Sequence, residues 1–251
     1  MISLKCWFLG VDMKFGIIPI NIGVTGLKQI VDVCQLAESV GVESVWTAEH
    51  TIVPVQMDSD YPYTESGKMP VDEAADFFDP LITLSAIGSA TKTIKLGTGI
   101  NILPQANPLL LAKQTATLDM LSGGRLLLGL GLGWMQEEFK AMGVPFERRG
   151  ARFDDYIQAI RKVWSGVPVN HQSEFLDWQS FVSLPTPTNK SALPVLIGGH
   201  AGKAFQRVAR YGDGWYPAVF TAAELTPLLD KLRIACEEEG RNFDEIEITA
   251  I

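Results

Sequence analysis

Apolar residues follow two alternating rhythms along this chain. Runs of six to ten residues with little charge have the length of strands: Lys14 to Ile20 (KFGIIPI), Glu43 to Ala48 (ESVWTA), Ile94 to Leu103 (IKLGTGINIL), Arg125 to Leu132 (RLLLGLGL), Leu193 to Gly198 (LPVLIG), Gly214 to Val219 (GWYPAV) and Glu245 to Ile251 (EIEITAI). Between them apolar positions return at helical spacing, as in Leu27, Ile30, Val31, Cys34 and Ala37 before Gly41. Helices are likewise expected over Pro80 to Thr91, Pro108 to Leu121, Met135 to Met142, Arg152 to Trp164, Ala201 to Tyr211 and Ala222 to Glu239. Pro108 is placed to start its helix, and Ser122-Gly123-Gly124 to stop it.

Seven strands alternating with helices predict parallel strands joined by right-handed crossovers. A doubly wound sheet would carry G-x-G-x-x-G directly after its first strand, and here that strand ends in Pro19-Ile20-Asn21. Glycines lie instead inside the third and fourth strands, which suits the inner wall of a closed α/β barrel where a ligand nears the backbone. Two insertions fit a barrel: His50 to Asp79 after the second strand, and Val167 to Ala192, in which SEFLDWQSFVSL reads as a small hairpin. A 30-residue loop at the C-terminal ends of barrel strands reads as a lid.

Composition narrows the function. With 251 residues, 47% of them hydrophobic and 20% charged, the chain is neither disordered nor a disulfide miniprotein, and it has the length of one barrel. A net charge of -8 repels phosphate backbones, so no nucleic-acid partner is expected. Cys6, Cys34 and Cys236 form no C-x-x-C pair and point to a reducing compartment. The longest uncharged run, Leu96 to Ala112, is interrupted by Asn101, Pro104, Gln105, Asn107 and Pro108, so no membrane span is expected. The apolar stretch Cys6 to Val11 is too short for a signal-peptide core, and the expectation is a cytoplasmic protein. P-loop, G-x-S-x-G and H-E-x-x-H patterns are missing, and His50, His171 and His200 share no metal-ligand spacing, so no metal is expected.

Barrel enzymes place working residues at the C-terminal ends of strands. The second strand ends in Trp46-Thr47-Ala48-Glu49-His50, an acid and an imidazole at the rim. His50 reads either as a proton-transfer group or as a histidine bonded to a loop. Glu49 reads as a rim acid, or as a residue that orients a neighbour. Gly129, Gly131 and Gly133 alternate before Trp134, so their missing side chains fall on one face. That face either relieves crowding or offers a bed for a planar ring, bordered by Trp134 and Leu103. Gly198-Gly199-His200 leads into a helix, as a compact turn or as an anion site suited to a cofactor phosphate. Trp215-Tyr216-Pro217 reads as apolar wall. Asp154 and Asp155 share a helix with Arg152 and Arg161, and read as a solvated helix face.

Together these segments resemble a known family. KFGIIP, AESVGVESVWTAEH, the 41-residue stretch from Ile94 to Trp134, GVPFERRGARFDDYIQAIRKVW and PVLIGGHAGKAFQRVARYGDGWYPA resemble, in order, the luciferase-like monooxygenase superfamily and in particular its coenzyme F-420-dependent oxidoreductases. The resemblance implies a TIM-type (β/α)8 barrel over residues 13–251, with a flavin or deazaflavin at its C-terminal face and residues 1–12 as an extension. It implies a non-proline cis peptide at Gly99-Ile100 beneath the ring, a phosphate loop at Gly198-Gly199, and His50 at the reactive face. On this likeness the cofactor-binding set is Gly99, Ile100, Gly131, Gly133, Trp134, Gly198, Gly199 and His200, and the catalytic set His50 and Glu49. The loop carrying Tyr61 and Tyr63 would close over a small organic substrate.

Two departures stand out. A sugar-phosphate dehydrogenase branch has an acidic Glu where this chain has Trp134. One strand-helix unit of the eight is expected to be lacking after Ile251, and residues 1–12, entering by a tight turn, are expected to pair antiparallel rather than replace it. The function expected is F-420-dependent hydride transfer. The alternatives are an FMN-dependent monooxygenase using dioxygen and a reductase partner, and a non-catalytic cofactor-binding barrel. Homodimers are common in the family.

Overall fold

The computed structural model describes residues 13–189, 193–218 and 221–251. In chain order the elements are β1 (Gly16–Ile17), α1 (Leu27–Ser39), β2 (Ser44–Thr47), α2 (Pro80–Ala90), β3 (Lys95–Thr98), β4 (Asn101–Ile102), a 3-10 turn (Leu103–Gln105), α3 (Pro108–Ser122), β5 (Leu126–Gly131), α4 (Gln136–Ala141), α5 (Arg149–Trp164), β6 (Val169–Gln172), β7 (Asp177–Phe181), β8 (Val195–Gly198), α6 (Ala204–Tyr211), β9 (Gly214–Tyr216), α7 (Ala222–Glu238), a second 3-10 turn (Phe243–Glu245) and β10 (Glu247–Ile248). Local chemistry starts the helices that face the loops. Asp79 accepts from Ile82 N ahead of Pro80, Asn107 accepts from Leu109 N and Leu110 N ahead of Pro108, and Thr221 forms a capping box with Glu224.

The main sheet runs β1-β2-β3-β5-β8-β9-β10, all parallel, with β4 continuing the β3 edge onto β5. It curls. Trp46 on β2 and Tyr216 on β9 are four strand steps apart, about 19 Å in a flat sheet, yet their ring centroids lie 5.2 Å apart. The sheet is therefore an incomplete barrel. Among the described residues its end strands, β1 and β10, pair with β2 and β9 and not with each other. The helix-facing side carries the main core, including Val45, Leu96, Leu128, Val195 and Trp215, while the concave side holds the smaller set Trp46, Leu196 and Tyr216 with Ile18, Ile100 and Leu127. The expected N-terminal extension lies outside the described residues.

The concave face is crowded by few large side chains, and the glycines facing it are the result. A Cβ on Gly97 would come within 2.1 Å of the Trp46 ring. Gly97→Ala is expected to lower stability by about 2–3 kcal/mol, read as a shifted denaturation midpoint; an unchanged midpoint would show that Trp46 has room to move.

Three details differ from the sequence reading. The third strand is split, because the chain turns at Gly99-Ile100, a cis peptide, before β4. The hairpin is β6 and β7, so SEFL forms its turn and not its first strand; β6 (VNHQ) turns Val169 and His171 inward, and a polar inward position hides the strand from a hydrophobic pattern. Asp154 and Asp155 are not a solvated face. Asp154 pairs with buried Arg207 on α6 at 2.6 Å, and Asp155 accepts from Ser173 and binds His171 Nε2 at 2.8 Å, tying the hairpin to α5.

Candidate active site

The C-terminal strand ends surround a cavity of about 240 Å³. Its first wall depends on Asn21, which follows β1 and is fully buried. Asn21 Nδ2 donates to Ala48 O at 2.9 Å and Phe78 O at 2.7 Å, and its Oδ1 accepts from Ala48 N. One side chain thus joins both ends of the loop 50–79.

Beyond Ala48 the chain presents Glu49 and His50 in different directions. Glu49 accepts from Asn101 Nδ2 at 2.9 Å and from Ile102 N, so it holds β4 against β2. Burial pushes its carboxyl up to about 7, against the lowering effect of those two donors, and the nearby Glu138 and Asp79 push the same way. Since the folded value lies above the ordinary 4.5, this group's contribution to stability is full below pH 4.5 and is lost as pH rises through about 7. Glu49→Gln is expected to flatten the stability profile across that window, measured by urea unfolding at a series of pH values; a parallel profile would show that Glu49 does not titrate there.

His50 Nδ1 sits 3.1 Å from Glu138 Oε2, and the other Glu138 oxygen accepts from Thr51 N. Glu138 is fully buried on α4. A carboxylate so placed takes a proton-bearing Nδ1, which leaves His50 Nε2 for the cavity. Edge contacts with Phe77 and Trp134, at 5.7 and 5.8 Å, fix the imidazole plane.

The far walls are backbone-rich. Ile100 fills the space left by Gly129 and Gly131: a Cβ on Gly131 would lie 1.8 Å from Ile100 Cδ1, and one on Gly129 2.0 Å from Thr98 O. The glycine face of β5 is therefore occupied by the β3–β4 corner, while Gly131 and Gly133 still edge the cavity. Gly199 has φ 97°, its carbonyl accepts from Trp215 Nε1 at 2.8 Å, and a Cβ there would meet only Ala204, at 3.9 Å, so the turn is an open cradle. The helix after it begins at Ala204 rather than Ala201, since Gly202 takes φ 57°.

A row of aromatic edges crosses the mouth. Tyr61 stands 5.2 Å from Trp134 and 5.3 Å from Tyr63, whose ring is 6.1 Å from that of His200. Burial raises both phenol pKa values.

The expected catalytic and cofactor-binding residues line this cavity except His200, which meets it through Tyr63, while Leu103, Gly129, Trp215 and Pro217 do not line it. Sequence reasoning missed Asn21 and Glu138, and took Tyr216 for inert wall. For Glu138 a signal existed: Met135, Glu138, Phe139 and Met142 share one helical stripe, and a carboxylate on an apolar stripe needs a buried partner. Among the described residues no group of His, Cys, Asp and Glu is arranged to hold a metal, and no helix is long and apolar enough to cross a membrane.

The model of the family described as luciferase-like monooxygenase matches residues 13–251. An uncharacterised protein of Mycobacterium tuberculosis is 36% identical over 210 residues, 82% of this chain and 74% of its own. The F-420-dependent glucose-6-phosphate dehydrogenase of Amycolatopsis mediterranei is 28% identical over 85% of this chain and 59% of its own length. The oxygenase component of the flavin-dependent trigonelline monooxygenase of Acinetobacter baylyi is 25% identical over 87% of this chain and 55% of its own. Among solved structures, a monooxygenase from Streptomyces bottropensis superposes with a TM-score of 0.74 at 26% identity, covering 95% of this chain and 70% of that one.

Proposed function

The chain belongs to the luciferase-like monooxygenase family, and on that premise we propose that it is an oxidoreductase that binds coenzyme F-420 at its strand ends and acts on a small uncharged organic molecule. The observation that carries this reading is the cavity itself, lined by His50 and by Tyr216 with its buried phenol, with a glycine cradle beside it. The residues present fit such a cofactor. Tyr216 Oη is buried there without a hydrogen-bond partner, and Gly199 leaves its cradle unfilled. At about 240 Å³ the cavity is below the 300–1,000 Å³ typical of sites that enclose a whole ligand, so it suits the flat ring alone. The phosphate-bearing tail would lie outside it, along Gly198-Gly199 toward the start of α6.

Bound F-420 would supply hydride chemistry. The chain's own contributions are positional and protonic. Gly99 and Ile100 would support the ring, Trp134 would border it, and Tyr61 and Tyr63 would keep out water. His50, its Nδ1 held by Glu138, would give or take a proton at the substrate oxygen through Nε2. No Lys or Arg is among the described residues lining the cavity, which favours an uncharged substrate over a phosphorylated one.

Similarity to a flavin-dependent oxygenase component supports a second reading, an FMN-dependent monooxygenase served by a reductase. Titrating the purified protein with F-420 and with FMN, followed by tryptophan quenching and by the absorption of the bound ring, separates the two. Tighter binding of F-420 is expected. Tighter binding of FMN would move the assignment to the monooxygenase, and binding of neither to protein folded by circular dichroism would leave a non-catalytic barrel.

A further inference from the structure

Tyr216, at the end of β9, is 3% exposed, and its hydroxyl makes no hydrogen bond among the described residues. Its surroundings offer none. The hydroxyl presses against Gly99, where a Cβ would stand 2.3 Å from Oη and 2.9 Å from Ile18 Cδ1. The nearby Trp46 indole N–H is already given to Ser44 Oγ at 2.9 Å. The carboxylates of the site are also engaged, Glu49 by Asn101 and Ile102, Glu138 by His50 and Thr51. Nearly all buried polar groups in folded proteins have partners, and leaving one without is a cost to the fold. A phenylalanine would fill the same space without that cost.

We propose that Tyr216 Oη donates a hydrogen bond to a carbonyl oxygen of the bound cofactor ring, and so sets which edge of the ring faces β9. The inference rests on the cofactor reading above and deepens it. Flavins and deazaflavins share a pyrimidinedione edge bearing two carbonyl oxygens, so the acceptor is the same for either cofactor. Tyr216 also lines the cavity next to Gly99 and, through the β8–β9 register, sits opposite Gly198, so its hydroxyl lies between the ring support and the cradle. Burial raises the phenol far above its ordinary pKa, which keeps it a neutral donor.

Tyr216→Phe separates a ligand-directed hydroxyl from a structural one. The experiment measures the thermal midpoint of the cofactor-free variant, its dissociation constants for oxidised F-420 and FMN, and the absorption maximum of the bound ring. Expected are an unchanged or raised midpoint, about tenfold weaker binding of the preferred cofactor, and a band moved toward that of the free ring. Unchanged affinity and spectrum, with the wild type binding well, would overturn this proposal alone. A midpoint lowered with binding intact would overturn it in favour of a structural role. A wild type that binds neither cofactor would overturn the cofactor reading and this inference with it.

Discussion

Replacing His50 with asparagine is expected to lower turnover by about 10²–10⁴-fold while leaving the folded protein nearly as stable as before. The asparagine amide can reproduce the donor that His50 Nδ1 offers Glu138, so the buried carboxylate keeps a partner, and only Nε2 is lost. Steady-state kinetics beside a thermal melt tests this. A variant that keeps near-normal turnover would remove His50 from the proton path, and one that loses activity only in proportion to stability would reduce it to a packing residue. Glu138 acts through His50 and does not need to touch the substrate. Glu138→Gln should therefore shift the pH profile of turnover more than it changes cofactor affinity.

The largest effect on stability is expected far from the cavity. Arg125 enters β5 as a buried guanidinium with no carboxylate partner among the described residues; it donates instead to Ser122 O, Ile94 O, Gly88 O, Thr91 O and Thr91 Oγ1 at 2.6–3.1 Å. One planar group thereby ties the end of α2, the start of β3 and the end of α3 together. Arg125→Met should cost about 3–5 kcal/mol, because it strands several buried carbonyls at once. Arg125→Lys should recover only part of that, since a single ammonium cannot span the fork. Urea unfolding of the two variants measures the difference, and a loss below about 1 kcal/mol would mean that water takes over those carbonyls.

The barrel was legible because its strands are buried by helices on one side and by partners on both edges, which gives the uncharged runs around Val45, Leu128 and Ile197. The break in the third strand was not, since Thr98 and Asn101 beside the turn are single uncharged positions that an unbroken strand also tolerates. The resemblance supplied that corner. Hydrophobic pattern also misplaced the hairpin, whose inward His171 is held by Asp155 and Lys162 rather than by apolar packing. At the candidate site, the strand-end argument found Glu49, His50 and the glycine turns, because rim position depends only on strand order. Which way each side chain faces depends on partners distant in sequence: Glu49 toward Asn101, His50 toward Glu138. Single-chain periodicity holds no record of such pairs, nor of Ile100 occupying the glycine face of β5.

The bonds of Asn21 have one more consequence. Ala48 and Phe78, 30 residues apart in sequence, meet on a single amide, and Phe78 N also donates to Asn21 O. The loop between them also meets α4, where Thr51, Asp58 and Ser59 donate to Glu138 and Glu137. Its ends are nevertheless cinched at this neck, so changes in its length are not transmitted to β2 or α2. Closing a longer loop costs only about 0.6 kcal/mol per doubling of its length. The neck thus makes the loop an interchangeable cassette: the family could lengthen, shorten or rewrite what covers the cavity, and so redirect substrate choice, while the strand ends beneath stay in register.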